Sequence, residues 1–247
     1  MDDHWFRLGD HCRYFRLKNL MKTRRLLLDD GSSRKYWNVC VEGKTQTVDY
    51  ARVGSASNTK SKTFNSPSDA KTETEKLVGK KISSGYTELH PETVEFNTAS
   101  GTGAETAQIR KFEKQIGVKL PKDYVRFLRS TNGGCPTPGF LAIPGHPYID
   151  NVSLGTFYGL HNKVKPGLSI QWAIETHAEV LPKRHLPIAR GGDIFTICLK
   201  KAKFGCIYFW DHECDSFEEN ERFSLKDGML LATDFTELLG RLSTFDG

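Results

Sequence analysis

The residues best suited to chemistry lie in one short stretch towards the C-terminal end of the chain. His212 lies between Asp211 and Glu213, where a neighbouring carboxylate could orient the imidazole as a general base. Cys206 and Cys214 are near enough in the sequence to form a zinc site with His212. The sequence offers no nucleophile for such a base, and zinc ligands usually pair at shorter spacing. We therefore predict no catalytic residue, no metal site and no cofactor.

Motifs that bind cofactors or activate nucleophiles are missing from the sequence. There is no GxSxG elbow, no P-loop and no HExxH. Gly101 and Gly103 begin a weak dinucleotide pattern, but Thr106 stands where its third glycine belongs. These absences favour a binding protein, and we predict that the protein is not an enzyme.

The stretch around His212 also concentrates negative charge. The whole chain has a net charge of +5, yet residues 211–221 contain no Lys or Arg. Their six acidic residues are Asp211, Glu213, Asp215, Glu218, Glu219 and Glu221. Such a loop could dock on a basic protein surface and steer association. A solvated loop without any partner has the same composition, so both interpretations stay open.

Composition is typical of a soluble globular protein. Of the 247 residues, 38% are hydrophobic and 26% are charged. No apolar run is long enough to span a bilayer, and the first residues contain no apolar signal region. The six cysteines are scattered along the chain, so we predict reduced thiols in a cytoplasmic protein that does not contact a membrane.

A polar, turn-rich segment divides the chain into two regions of domain size. Residues 89–103 are rich in Thr, Ser, Asn and Gly, and we interpret them as a linker. The predicted domains therefore span residues 21–88 and 104–247. Residues 1–20 precede Met21, which looks like a natural start. We expect them to be a disordered extension or a wrongly assigned beginning.

The first region is predicted to form a small sheet with one helix. Alternating side chains and turn residues indicate strands over residues 36–41, 47–53 and 60–64. Ser66 then provides a helix N-cap, Pro67 suits the first helical position, and Gly85 suits the end of the helix.

The second region mixes helices with strands. Thr102 and Glu105 have the spacing of a capping box, which predicts the start of the first helix. Three more helices are expected, beginning near residues 121, 169 and 234. Two strands are expected over residues 194–199 and 205–210, with Trp210 in the core. This order of elements predicts an α+β fold.

Four sequence blocks follow one another in the second region. They are Leu120-Pro121 leading to Asn132-Gly133-Gly134, then Phe157-Tyr158-Gly159-Leu160, then Leu186 to Asp193, and finally Gly205 to Glu213. Together they resemble the SUKH superfamily, the Smi/Knr-type domain, over residues 104–247. The resemblance implies a non-catalytic α+β module. Bacterial members commonly act as immunity proteins that neutralise polymorphic toxins, and fungal relatives act as regulatory interaction proteins.

This resemblance implies a protein partner, for which a toxin domain is one candidate. We assign the contact to the acidic stretch and to the turn that would lie beside it. The residues predicted to bind the partner are Asp193, Asp211, His212, Glu213, Asp215, Glu218, Glu219 and Glu221. The sequence identifies neither the partner nor the oligomeric state.

The first region carries a second resemblance. Arg34-Lys35-Tyr36-Trp37, Arg52-Val53-Gly54 and Gly85-Tyr86 are similar to a WGR domain, which occurs in DNA-damage-sensing poly(ADP-ribose) polymerases. The motif that names this family is altered, because Tyr50-Ala51-Arg52 replaces Trp-Gly-Arg. Tyr50 could still stack on a base, and lysines could contact phosphates. The residues assigned to nucleic acid are Lys35, Tyr50, Arg52, Lys60, Lys62, Lys80 and Lys81.

The charge of the first region is small for a nucleic-acid binder. Residues 1–100 carry a net charge of only +4, so the domain could instead simply pack against another protein. Our leading hypothesis is a cytoplasmic bacterial immunity or regulatory protein, in which the SUKH-type domain binds a protein and the WGR-like domain assists. The alternative is a nucleic-acid-associated protein that acts through the WGR-like domain.

Overall fold

The computed structural model describes residues 13–16, 23–29, 33–53, 55–98, 102–143, 145–160, 166–213 and 222–244. Over these residues the chain forms two domains, and each combines helices with an antiparallel sheet. The predicted α+β class is therefore confirmed. None of the described helices is both long enough and apolar enough to cross a membrane.

The first domain is built on a five-stranded antiparallel sheet. In spatial order its strands are β5 (Asn58–Thr63), β4 (Thr45–Arg52), β3 (Arg34–Glu42), β2 (Thr23–Asp29) and β6 (Thr87–Leu89). The three predicted strands are present, and β3 turns into β4 at Gly43, where φ is +59°. Sequence analysis did not predict β2 and β6, because β2 contains a continuous apolar run and β6 has only three residues.

Helix α1 (Pro67–Ser83) packs against one face of this sheet. It begins as predicted, with the amide of Asp69 donating to the Ser66 hydroxyl at 3.0 Å. Gly85, at a φ of +90°, lies just beyond its end. The buried apolar cluster between helix and sheet consists of Leu26, Trp37, Val39 and Val78.

The described part of the second domain combines another five-stranded antiparallel sheet with four α-helices. The helices are α2 (Thr106–Ile116), α3 (Lys122–Ser130), α4 (Ile170–His177) and α5 (Phe235–Gly240). The sheet consists, in spatial order, of β11 (Thr156–Phe157), β12 (His185–Arg190), β13 (Ile194–Cys198), β14 (Ile207–Trp210) and β15 (Met229–Ala232). Outside this sheet, β8 (Cys135–Thr137) belongs to a separate three-stranded sheet, and β9 (Phe140–Ala142) pairs with β10 (Asn151–Ser153).

Aromatic side chains form the centre of the second domain. The ring of Phe127 on α3 lies 4.8 Å from that of Phe235 on α5 and 5.4 Å from that of Phe157. Phe96 joins the same cluster, with its ring 5.2 Å from Phe127. All four side chains are buried, so the two helices and the strands are held by one continuous apolar core.

The start of α2 differs from the sequence prediction. The N-cap of α2 is Glu105, and its capping-box partner is Gln108, whose side chain accepts a hydrogen bond from the Glu105 amide at 2.8 Å. The spacing of a capping box is met twice in this segment, and the box that forms is the one adjacent to the first helical residue. The predicted box of Thr102 with Glu105 was therefore wrong.

The segment predicted to be a linker has regular structure of its own. Residues 91–93 form a turn of 3-10 helix, and β7 (Glu95–Thr98) pairs with β8 of the second domain. Val94 and Phe96 are buried in the second domain's core. Polar residues dominate this segment, and composition alone does not reveal that Val94 and Phe96 face inwards.

The predicted N-terminal extension contributes one described strand. β1 (Arg13–Arg16) pairs antiparallel with β7, which makes β1, β7 and β8 a three-stranded sheet. These four residues are therefore ordered as a strand, unlike the disordered extension that we expected. The rest of residues 1–20 lies outside the described residues.

Arginines of the first domain contact the last helix of the second. Arg25 forms an ion pair with Asp234 at 2.5 Å, and Asp234 is also the N-cap of α5. Arg34 donates to the carbonyl oxygens of Leu230, at 3.0 Å, and Leu231. It also lies 3.2 Å from the buried carboxylate of Glu237. The two domains thus share a partly buried polar contact.

Candidate protein-binding site

One end of the second domain's main sheet brings predicted site residues together. The turn Gly191-Gly192-Asp193 precedes β13, and β14 runs antiparallel to it, with Ile194 opposite Trp210. Asp193 and Asp211 are the next residues beyond this pair. The strand register therefore places the two carboxylates side by side, although they are far apart in the sequence.

A buried polar network anchors the end of β14. Trp210 is completely buried, as predicted, and its Nε1 donates to Thr196 Oγ1 at 2.8 Å. The Thr196 hydroxyl lies 3.2 Å from Nδ1 of His185, whose ring meets the Trp210 ring edge-on at 5.0 Å. With the tryptophan fixed in this way, the next residue, Asp211, has a defined position at the surface.

The acidic residues at this end are held by hydrogen bonds to one another's backbone and side chains. His212 Nδ1 lies 2.7 Å from Asp193 Oδ1, and the amide of His212 donates to the same oxygen at 3.3 Å. The amide of Glu213 donates to Asp211 Oδ1 at 2.9 Å. The hydrogen bond from Asp193 raises the pKa of His212 above its usual value.

A third loop, which sequence analysis did not assign to the site, joins this cluster. His146 Nε2 lies 3.4 Å from Asp211 Oδ2, while the amide of Ile149 donates to His146 Nδ1 at 3.1 Å. Tyr148, two residues after this histidine, is 92% exposed. The sequence His146-Pro147-Tyr148 did not indicate a binding site, because the contact of His146 with Asp211 depends on the tertiary fold.

We call the surface formed by Asp193, Asp211, His212, Glu213 and Tyr148 the acidic face. The side chains of Glu213 and His212 are 79% and 50% exposed, whereas those of Asp193 and Asp211 are only 15% and 13% exposed. Four of the eight predicted partner-binding residues belong to it. The other four, Asp215, Glu218, Glu219 and Glu221, lie outside the described residues.

The acidic face contains the atoms that a metal ion would require, but they are already engaged. Asp193, Asp211 and His212 each offer one ligand atom, and these atoms lie within 4.8 Å of one another. In this arrangement His212 pairs with Asp193, and His146 pairs with Asp211. Burial raises the pKa of the Cys206 thiol to about 11. Cys214 lies outside the described residues.

The buried histidine behind this face makes stability depend on pH. Burial, assisted by Lys200, lowers the pKa of His185 to about 4. Its unfolded imidazole takes up a proton near pH 6.5 whereas the folded one stays neutral, so acidification favours unfolding. We expect the titration of His185 to lower the free energy of unfolding by roughly 2–3 kcal/mol when the pH falls from 7 to about 4.5.

Urea unfolding at pH 7 and at pH 4.5 measures this loss, with the variant His185→Gln as the comparison. The variant is expected to lose less stability on acidification than the unmodified protein, because it lacks the imidazole. Equal losses in the two proteins would show that His185 titrates normally in the fold.

The residues predicted to contact nucleic acid separate into two groups. Tyr50, Lys60, Lys62 and Lys81 line one groove of about 560 Å³ between the sheet of the first domain and α1. Lys35, Arg52 and Lys80 are not among the residues that line it. Arg52 and Lys80 are exposed, and Lys35 lies opposite Arg52 in the sheet.

Comparisons with known proteins agree with both resemblances. Residues 103–241 match the SMI1 / KNR4 family (SUKH-1), and residues 22–93 match the WGR domain. The chain is 28% identical over 173 residues to the SPbeta prophage-derived uncharacterized protein YokK of Bacillus subtilis (strain 168). That match covers 62% of this chain and 84% of the relative.

A solved protein of Bacteroides fragilis matches a shorter part. The identity is 31% over 28% of this chain and 20% of that protein, with a TM-score of 0.27. This chain therefore spans about a fifth of that protein's length.

Fold and sequence together define a two-domain α+β protein with a WGR domain before a SUKH-type domain. The family match covers more than half of the chain, and the chain belongs to the SMI1/KNR4 family (SUKH-1). Its WGR domain departs from the motif that names that domain at Tyr50 and Ala51.

Proposed function

We propose that this chain is a non-enzymatic protein of the immunity or regulatory type. Its SUKH-type domain would bind a basic protein partner, such as a toxin domain, through the acidic face and so neutralise it. The observation that supports this most strongly is the assembly of the face from three separate segments, which side-chain contacts hold in fixed positions. These contacts are His212 with Asp193 and His146 with Asp211.

The composition of the acidic face is suited to recognising a cationic protein surface. Tyrosine is enriched among the residues that contribute most to binding, and Tyr148, two residues after His146, is 92% exposed. An arginine of the partner could stack on this ring and pair with Asp211 or Glu213. Surrounding negative charge would then steer the partner towards the face.

The acidic residues of the following segment stay a prediction from the sequence. Glu218 and Glu219 are expected to extend the face and to add to its negative charge. The cytoplasmic location likewise stays a prediction. The WGR domain is proposed to assist or localise the protein, and its binding to nucleic acid remains the alternative function.

Charge reversal tests the proposed function. The triple change Glu213→Lys, Glu218→Lys and Glu219→Lys is expected to weaken binding to the cognate partner, sought as the product of the neighbouring gene, by roughly tenfold or more. Calorimetric titration would measure this affinity. The control Glu42→Lys reverses an exposed charge at a hairpin end of the other domain. Unchanged affinity in the triple variant would remove this surface from the interface.

Binding through the acidic face is also expected to depend on pH. A protonated His212 adds positive charge beside Asp193, Asp211 and Glu213, so affinity for a cationic partner should fall as pH decreases through the raised pKa of His212. Calorimetry at pH 8 and pH 6 measures this change. The variant His212→Asn should show a smaller change in affinity, and an identical change would contradict a role for His212.

A further inference from the structure

The first domain contains an open groove that neither the acidic face nor the domain contact uses. β5 is the edge strand of the sheet and all six of its residues are exposed. Helix α1 packs against β3 and β4, where the Gln46 side chain donates to Thr74, and β5 stays exposed beside it. The resulting groove has a volume of about 560 Å³, which is in the range of pockets that hold small ligands or a few side chains.

The floor of the groove is apolar and its rim is cationic. Trp37, Val48 and Leu77 provide the apolar floor, and the residues lining the groove include no carboxylate. The rim carries three lysines, Lys60, Lys62 and Lys81. Lys60 and Lys62 project from the same face of β5, roughly 7 Å apart along the strand.

Each lysine ammonium lies over an aromatic ring. Lys60 Nζ is 5.9 Å from the centre of the Tyr50 ring, and Lys62 Nζ is 4.6 Å from that of Phe64. Lys81 Nζ is 5.8 Å from the Trp37 ring and 4.8 Å from the Tyr86 ring. These contacts hold the flexible lysine side chains near the groove, where less entropy is lost when they bind an anion.

We propose that this groove binds an acidic peptide segment of a partner protein, with an aliphatic or aromatic side chain on the apolar floor and carboxylates at the lysines. The spacing of Lys60 and Lys62 matches two side chains that point the same way from an extended peptide. Burying one apolar side chain of the peptide would add affinity that carboxylates alone do not provide.

The same geometry favours a peptide over a nucleic-acid strand. Binding of a single strand relies on open aromatic planes on which successive bases stack. Trp37 is only 6% exposed, and the ring of Tyr50 is covered on one side by Lys60. Val48 and Leu77 complete the floor with aliphatic groups, which suit a side chain such as Leu or Phe.

Selection from a phage-displayed library of random peptides on the full-length protein tests this proposal. We expect enriched peptides that combine Asp or Glu with a large apolar residue. A synthetic peptide of the enriched sequence is then titrated by fluorescence anisotropy against the protein and its variants. Lys60→Glu with Lys62→Glu should weaken this binding by roughly tenfold or more.

Two controls make the result specific to the groove. Lys71→Glu with Lys76→Glu makes the same change in charge at exposed positions of α1 outside the groove, and should leave the peptide affinity within about twofold. Glu213→Lys on the acidic face should also leave it unchanged, which separates this site from the proposed function. Circular dichroism checks that every variant is folded.

Several outcomes would overturn the proposal. They are the absence of an enriched acidic family, equal weakening by both lysine pairs, and no weakening by Lys60→Glu with Lys62→Glu. The fourth is tighter binding of an oligothymidine strand than of the selected peptide, with loss of that binding in the groove variant. This last result would assign the groove to nucleic acid instead.

Discussion

A chain that begins at residue 104 is expected to show no cooperative unfolding, whereas a chain that begins at residue 90 is expected to fold. The shorter chain loses β7, which pairs with β8 of the second domain. It also loses Val94 and Phe96, which are 1% and 0% exposed within that domain's core. Removing the Phe96 side chain alone should cost about 3–5 kcal/mol.

The loss is large in comparison with the stability of a domain of this size. Net stabilities are about 5–15 kcal/mol, and the shorter chain loses strand pairing in addition to two buried side chains. Thermal unfolding followed by circular dichroism compares the two chains directly. Full-length Phe96→Ala serves as the intermediate case. If the chain from residue 104 unfolds at the same temperature as the longer one, residues 90–103 act only as a connection.

The variant Arg34→Met is expected to lose roughly 3–5 kcal/mol of stability, because it leaves the carboxylate of Glu237 buried without its cationic partner. The side chain of Glu237 is only 4% exposed and lies 3.2 Å from Arg34. Its remaining donor residue is Thr233, whose amide is 3.0 Å away. The carbonyl oxygen of Leu230 also loses its arginine donor, whereas that of Leu231 still accepts from Arg241.

A second substitution separates this cause from a general loss of packing. In Arg34→Met with Glu237→Leu no unpaired carboxylate is left, so part of the lost stability should return. Urea unfolding of the two single variants and the double variant gives the coupling energy. Limited proteolysis between the domains reports whether they separate. Simple addition of the two single effects would show that the arginine and the carboxylate do not stabilise each other.

Local signals in the sequence predicted the elements that depend on local physics. Ser66 is an N-cap because its hydroxyl accepts a hydrogen bond from the amide of Asp69, three residues later. Gly43 allows the hairpin turn because glycine readily adopts its positive φ of +59°. Trp210 was expected in the core because large aromatic side chains at strand ends are usually buried. It is buried in the structure.

Features that depend on tertiary contacts were not predictable in the same way. The segment around Phe96 has the composition of a linker, and only the partner strand β8 makes it part of a domain. His146 and Tyr148 gave no signal, because their place beside Asp211 results from loops that meet across the fold. The acidic run indicated a binding surface, but its position next to Asp193 follows from the register of β13 and β14.

The two proposed binding surfaces lie on different domains that the arginine contacts join. Arg25 and Arg34 tie the sheet of the first domain to α5, while β7 belongs to the core of the second. A partner that occupies the acidic face and one that occupies the lysine groove would therefore be held by one protein. Under both proposals, the WGR domain would have a role in recruitment that does not require it to bind nucleic acid.

Site-specific photo-crosslinking in cells tests the central claim most directly, because it does not require the partner to be known. A photoreactive phenylalanine analogue replaces Tyr148 on the acidic face or, as control, Phe204, which is 43% exposed and lies at the other end of the β13–β14 hairpin. We predict one discrete crosslinked protein from position 148 and none from position 204. No crosslink from position 148, or the same protein from both positions, would contradict the assignment of binding to the acidic face.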